Sequence, residues 1–269
     1  IFVGHIYVVM LLVGLAFAPY AIVSKNGARA ACKTYSRYVF WSMRWMVGIR
    51  AEVRGEVPEG EVLIAAKHQS FLDIMMIFTA LPSAKFIMKR EILWTPIIGL
   101  YAKRLDCVAV ERGKRGAAIL QMVKDVEAGR ADPGQLIIYS QGTRVAPGVR
   151  APYKVGTGVL YDQLGQPCVP VATNVGILWP RKGIMRKPGL AVVEFLPAIA
   201  PGMERDAFLA HLEETVEARS DALLHTGCGL DPQGRRPSDA ALRQVDRHIP
   251  LCRVDDGRAG RHRWQPARR

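Results

Sequence analysis

Two short segments hold the residue types that do chemistry. Lys67-His68-Gln69-Ser70-Phe71-Leu72-Asp73 places an imidazole five residues ahead of a carboxylate. Tyr139-Ser140-Gln141-Gly142-Thr143-Arg144 places a guanidinium directly after a glycine and a hydroxyl. An imidazole titrates near neutrality and serves as a general base. A carboxylate bonded to it fixes its tautomer and stabilises the imidazolium. Glycine lets a backbone approach a ligand closely, and the arginine fork matches phosphate. Together, His68, Asp73 and the Gly142–Arg144 loop have the parts to deprotonate a hydroxyl beside an anionic group. Each motif also has a purely structural reading. Ser70 to Asp73 reads as a variant capping box with Asp73 complementing the helix dipole, and the second segment reads as a polar turn at a strand end. Lys89, Arg90 and Arg112 add cations at other strand-end positions. A hydrolase would need a protein nucleophile, and no G-x-S-x-G elbow is present. A base without a nucleophile suits direct transfer, in which the substrate's own hydroxyl is activated.

The elements around these motifs alternate. Apolar runs at 51–56, 61–67, 84–88, 106–110, 135–140, 168–174 and 190–196 read as strands. Helical patterns cover 71–80, 115–129, 154–164 and 204–225, the last with Phe208, Leu212, Val216 and Leu223 on one face. This order predicts an α/β sandwich with a largely buried sheet. His68 follows Val62-Leu63-Ile64-Ala65-Ala66, which puts it at a strand's C-terminal end, where open α/β sheets place their sites.

Before the sandwich, residues 1–23 are almost unbroken apolar sequence, long enough to cross a bilayer. Lys25 and Arg29 follow the run and no basic segment precedes it, which disfavours a cleaved signal peptide ending near Ala28-Arg29-Ala30. A spanning helix with Lys25, Arg29, Lys33 and Arg37 on its cytoplasmic flank is one reading. A helix lying in one leaflet is the other. Residues 34–50 support the second, because Tyr38, Trp41, Trp45 and Met46 mix with Arg37, Arg44 and Arg50 as in an interfacial helix. The formal net charge of +13 favours an anionic membrane or a phosphorylated substrate. No nucleic-acid-binding motif appears, so nucleic acid is not an expected partner. Five widely spaced cysteines without C-x-x-C imply a reducing compartment, no disulfide framework and no zinc site. Residues 226–269 carry ten arginines against five aspartates and little apolar periodicity, which reads as a basic, disordered tail. The organisation expected is therefore membrane-anchoring helices over 1–50, a catalytic domain over 51–225 and the tail over 226–269.

The motifs resemble those of the bacterial 1-acylglycerol-3-phosphate acyltransferases over roughly residues 45–225. His68 and Asp73 match the family's His-x4-Asp block. Lys89-Arg90-Glu91, Pro96 and Gly99, then Val108 to Arg112, match the second block. Gly142-Thr143-Arg144 matches the third, usually Phe-Pro-Glu-Gly-Thr-Arg, and Val169-Pro170-Val171-Ala172 matches the fourth. The resemblance implies a glycerol-3-phosphate acyltransferase-like α/β sandwich, with a helix-covered mixed sheet behind a helical membrane-docking element. It implies acyl transfer from acyl-CoA or acyl carrier protein, as co-substrate, to the sn-2 hydroxyl of lysophosphatidate, with no cofactor and no metal. His68 would be the base and Asp73 its orienter. Gly142, Thr143 and Arg144, with Lys89 and Arg112, would hold the acceptor phosphate. The expected location is the inner membrane, with the catalytic domain on the cytoplasmic side against anionic lipid. Gln141 stands at the family's glutamate position and Asp106 where many relatives have glycine. The rival readings are a different lysolipid acceptor, such as a lyso-amino-acid lipid, and a lipid-binding homologue impaired by Gln141.

Overall fold

The computed structural model describes residues 1–110 and 133–227. The chain opens with helices α1 (Phe2–Val23) and α2 (Lys25–Val47), followed by β1 (Ile49–Arg54), β2 (Leu63–Ala66), α3 (Phe71–Ala80) and β3 (Ala84–Lys89). A 3-10 turn over Arg90–Trp94 leads into α4 (Ile98–Arg104) and β4 (Val108–Val110). The remainder is β5 (Gln135–Tyr139), α5 (Val155–Leu164), β6 (Cys168–Thr173), β7 (Gly189–Phe195) and α6 (Arg205–Gly227). Arg112, the helix expected over 115–129 and the basic tail beyond Gly227 lie outside the described residues.

The strands form one sheet in the order β1-β7-β6-β2-β5-β3-β4. The five from β6 to β4 are parallel, β7 is antiparallel to β6, and β1 is parallel to β7. The mixed, helix-covered sheet is therefore present as expected. Alternation along the central strand explains why both faces are covered. Ile64 and Ala66 join the core under α1, α2 and α3, while Leu63 and Ala65 join the core under α5 and α6. A central parallel strand buried on both faces must be apolar throughout, and β2 is.

One pairing fixes the location of the site. Ala66, the last residue of β2, pairs with Tyr139, the last residue of the neighbouring parallel strand β5. The two motifs thus leave the sheet side by side at the same edge.

The N-terminal helices form a tight hairpin. Ser24 is extended, which breaks the helix, and its hydroxyl accepts from the Asn26 amide at 3.2 Å to cap α2. A Cβ at Gly27 would sit 2.5 Å from the Tyr20 carbonyl oxygen, so only glycine permits this closeness. Helix α2 therefore starts at Lys25, nine residues before the expected interfacial segment. Lys25, Arg29 and Lys33, spaced by four, share one face. They bind the domain: Lys25 pairs with Asp106 at 2.7 Å, Arg29 donates to the Ser83 hydroxyl and Lys33 to the Leu81 carbonyl. These cations clamp α2 onto α3, α4 and their loops, a role that an amphipathic pattern alone does not distinguish from a membrane flank.

Candidate active site

Helix α3 begins where β2 ends, and Asp73 governs the junction. Its Oδ2 accepts the Gln69 amide at 2.8 Å and the Ser70 amide at 2.7 Å, while the Ser70 hydroxyl accepts the Leu72 amide at 3.3 Å. That is a complete capping box. Its other oxygen, Oδ1, lies 2.8 Å from His68 Nδ1. One carboxylate, fully buried, therefore makes both the helix cap and the contact with the imidazole. A carboxylate at Nδ1 selects the Nδ1–H tautomer and leaves the Nε2 lone pair free to take a proton. The imidazole keeps 14% of its side-chain surface exposed, so this lone pair is within reach of a ligand.

Tyr139 completes the setting of His68. Its ring stacks on the imidazole with centroids 4.0 Å apart, and its hydroxyl donates to Asp73 Oδ1 at 3.1 Å. Burial first, and then the Asp73 charge, push its phenol well above the ordinary range, so Tyr139 remains a donor.

The second motif folds over this pair. Gly142 has φ of +69°, a conformation that favours glycine, and its amide bonds back to the Tyr139 carbonyl at 2.8 Å. The Val145 amide then donates to the His68 carbonyl at 2.8 Å. The arginine loop is thus stitched to His68. Arg144 is half-buried and Thr143 exposed. Arg181 approaches from the segment after β6, donating to the Arg144 carbonyl at 3.2 Å.

These residues border one cavity of about 570 Å³, within the range of small-molecule sites. Its polar lining includes His68, Lys89, Thr143, Arg144 and Arg181. Its apolar lining comes from α1, α2, α3 and β3, with Val13, Ala31, Ile74, Met75, Phe78 and Phe86 among the contributors. The structure therefore gathers His68, Asp73, Gly142, Thr143, Arg144 and Lys89 at one site, while Arg112 lies outside the described residues. Among the described residues no group of His, Cys, Asp and Glu has the arrangement to hold a metal ion.

Four contributors had no role assigned to them from the sequence. Arg181 lies beyond the fourth motif, in a loop whose path no local pattern specifies. Lys67 and Glu217 meet beneath the site across 150 positions, which no spacing rule anticipates. Tyr139 heads the second motif, but its partner Asp73 lies 66 positions away.

The two departures from the motif pattern also have a place in the fold. Asp106 has φ of +55°, the left-handed conformation that favours glycine, and the Lys25 ion pair holds its carboxylate. Gln141 is buried, and its amide nitrogen faces Glu217 Oε1 at 3.3 Å.

Residues 49–174 match the family model described as Acyltransferase. The chain is 29% identical over 192 residues to the 1-acyl-sn-glycerol-3-phosphate acyltransferase of Pseudomonas aeruginosa, covering 71% of this chain and 75% of that protein. It is 30% identical over 142 residues to the human 1-acyl-sn-glycerol-3-phosphate acyltransferase alpha, covering 51% of this chain and 50% of that one. The chain thus spans three quarters of the bacterial relative but half of the human one. Its fold matches the crystal structure of the 1-acyl-sn-glycerophosphate (LPA) acyltransferase PlsC from Thermotoga maritima, with a TM-score of 0.63 at 19% identity, over 81% of this chain and 97% of that one.

Proposed function

We propose that this chain, whose residues 49–174 match the acyltransferase family model, moves a fatty acyl group from an acyl thioester to the sn-2 hydroxyl of 1-acylglycerol-3-phosphate, giving phosphatidate. The observation that carries this reading is the His68–Asp73 pair roofed by the Gly142–Arg144 loop at the mouth of an apolar cavity. His68 Nε2 takes the proton of the acceptor hydroxyl. The oxygen attacks the thioester carbonyl, the C–S bond breaks, and the imidazolium returns its proton to the departing thiolate. Asp73 stabilises the imidazolium while it exists. Arg144, Lys89 and Arg181 face the acceptor phosphate, with the Gly142 and Thr143 backbone beside it. The donor is acyl-CoA or acyl carrier protein.

The same reading includes a membrane. Helix α1 is long and apolar enough to cross one, but it touches the folded domain along its whole length. Phe2 meets the Trp179 ring at 5.6 Å, Tyr101 donates to the Gly14 carbonyl, and Arg104 donates to the Ala21 and Ile22 carbonyls. A crossing helix would carry one end to the far side of the bilayer, away from these partners. The free face of α1 exposes Tyr7, Val8, Leu11, Leu12 and Leu15, and α2 exposes Trp41 and Trp45. Together they support docking in one leaflet, and the side proposed is the cytoplasmic face of the inner membrane.

The test is direct. The purified protein, given lysophosphatidate and either donor, should form phosphatidate. His68→Ala should lower kcat by about 10²–10⁴-fold. Activity equal to that of the natural protein would sink the mechanism. An acceptor panel that includes a phosphate-free lysolipid separates the phosphate-directed reading from a different acceptor, because Arg144 and Arg181 gain nothing from the latter.

A further inference from the structure

The alternation that sends Ala66 and His68 toward α3 sends Lys67 through the opposite face of the sheet. There its ammonium is 1% exposed and meets Glu217 of α6, at 2.6 Å from Oε1 and 2.5 Å from Oε2. Two further donors reach the same carboxylate. The Tyr153 hydroxyl lies 3.2 Å from Oε1 and the Gln141 amide nitrogen 3.3 Å from it. Gln141 also donates to the Ala151 carbonyl at 3.2 Å, while its own amide oxygen has no partner among the described residues. A flipped amide would set that oxygen against Glu217, so the orientation is decided by the carboxylate.

The covalent neighbours give this cluster its meaning. Lys67 precedes His68, and Gln141 precedes Gly142. One buried carboxylate therefore holds the residue before the base and the residue before the phosphate loop. A buried ammonium needs one counter-charge, and Glu217 already provides it. A second carboxylate at position 141 would stand about as close to Glu217 as the amide does now, and like charges there would force one to take a proton or move away.

Resting on the acyltransferase reading, we propose that Glu217 is a positioning residue shared by both halves of the site, and that Gln141 is neutral because the required negative charge arrives from α6. The one carboxylate of the cluster comes from α6 and not from position 141. On this account Gln141→Glu impairs the protein.

A charge-swap cycle on the full chain tests this. Gln141→Glu and Glu217→Gln should each lower Tm by about 6 °C or more, whereas the double variant, which again has one carboxylate, should recover at least about half of the larger loss. In acyl transfer, each single variant should show kcat reduced by about 10–10²-fold and a raised acceptor KM, with donor KM within about twofold of the natural value. The double variant should regain kcat. A Gln141→Glu protein as stable and active as the natural one overturns the proposal. So do melting losses that simply add in the double variant. Unchanged kcat and acceptor KM in both single variants overturn the positioning role even where the melting cycle closes. The melts require no turnover, so a chain without acyltransferase activity would sink the functional reading and leave the charge arrangement to be judged on its own.

Discussion

Asp73 accepts four hydrogen bonds and donates none. Two backbone amides point at Oδ2, while His68 Nδ1 and the Tyr139 hydroxyl point at Oδ1. No neutral isostere can do the same, because asparagine has one acceptor oxygen and one NH₂ group. In Asp73→Asn the NH₂ must face either the two amides or the imidazole and phenol. The first arrangement breaks a helix cap, typically worth about 1 kcal/mol. The second favours the wrong imidazole tautomer, which in histidine-based catalysis is severe. Asp73→Asn should therefore cost at least about 10²-fold in kcat, with a smaller change in acceptor KM, measured by initial rates. Tyr139→Phe removes one donor and keeps the stacked ring, so its loss should be well below that of Asp73→Asn. His68 and Asp73 were readable in the sequence because a strand end, a cap and five residues confine them to one junction. Tyr139, Lys67 and Glu217 were not readable as a set, because their contacts depend on which strand neighbours which and on where α6 crosses the sheet.

Helix α6 reaches under the site with Glu217, so the start of that helix is part of how the site is held. Glu204 caps it, its carboxylate accepting the Asp206 and Ala207 amides at 2.9 and 3.0 Å. These bonds, that from Ala207 foremost, hold its carboxyl below the ordinary range. An acid depressed in the folded state stabilises the protein above its unfolded pKa, and that contribution is lost as pH falls through the folded value. Glu204→Ala should therefore lower Tm at neutral pH, and the deficit should shrink as the melts are repeated at acid pH below the usual carboxylate range. A deficit independent of pH would mean that the carboxylate does not act as the cap. At this scale most strands and α3 were legible, since apolar runs between turn residues admit little else. The start of α2 was not. Lys25, Arg29 and Lys33 lie at a four-residue spacing that serves a membrane flank or a protein-facing clamp equally, and only Asp106, Ser83 and Leu81 decide between them.

For the whole molecule, the open question in the sequence was whether its apolar N-terminus crosses the membrane or lies on it, since length and hydropathy are the same in either case. The contacts of Phe2, Gly14, Ala21 and Ile22 with one folded domain favour lying on it. Gly14 also lines the cavity beside His68, so on the proposed docking the helix facing lipid would form part of the cavity wall. A substrate drawn from the leaflet would then reach the base without leaving an apolar surface. Two measurements follow from this geometry. An epitope placed ahead of Ile1 should be cleaved by protease added outside sealed vesicles to which the protein has bound, at the same rate as an epitope on the domain. Protection of the first epitope alone would mean that α1 crosses. Replacing Leu11 and Leu15 together by serine removes two exposed apolar side chains, each worth about 1.5–3 kcal/mol when buried. Partitioning into anionic vesicles should fall by at least about 10²-fold. Turnover of a soluble short-chain lysophosphatidate, which needs no membrane, should stay within a few-fold of the natural protein's, because the side chains removed face away from the domain.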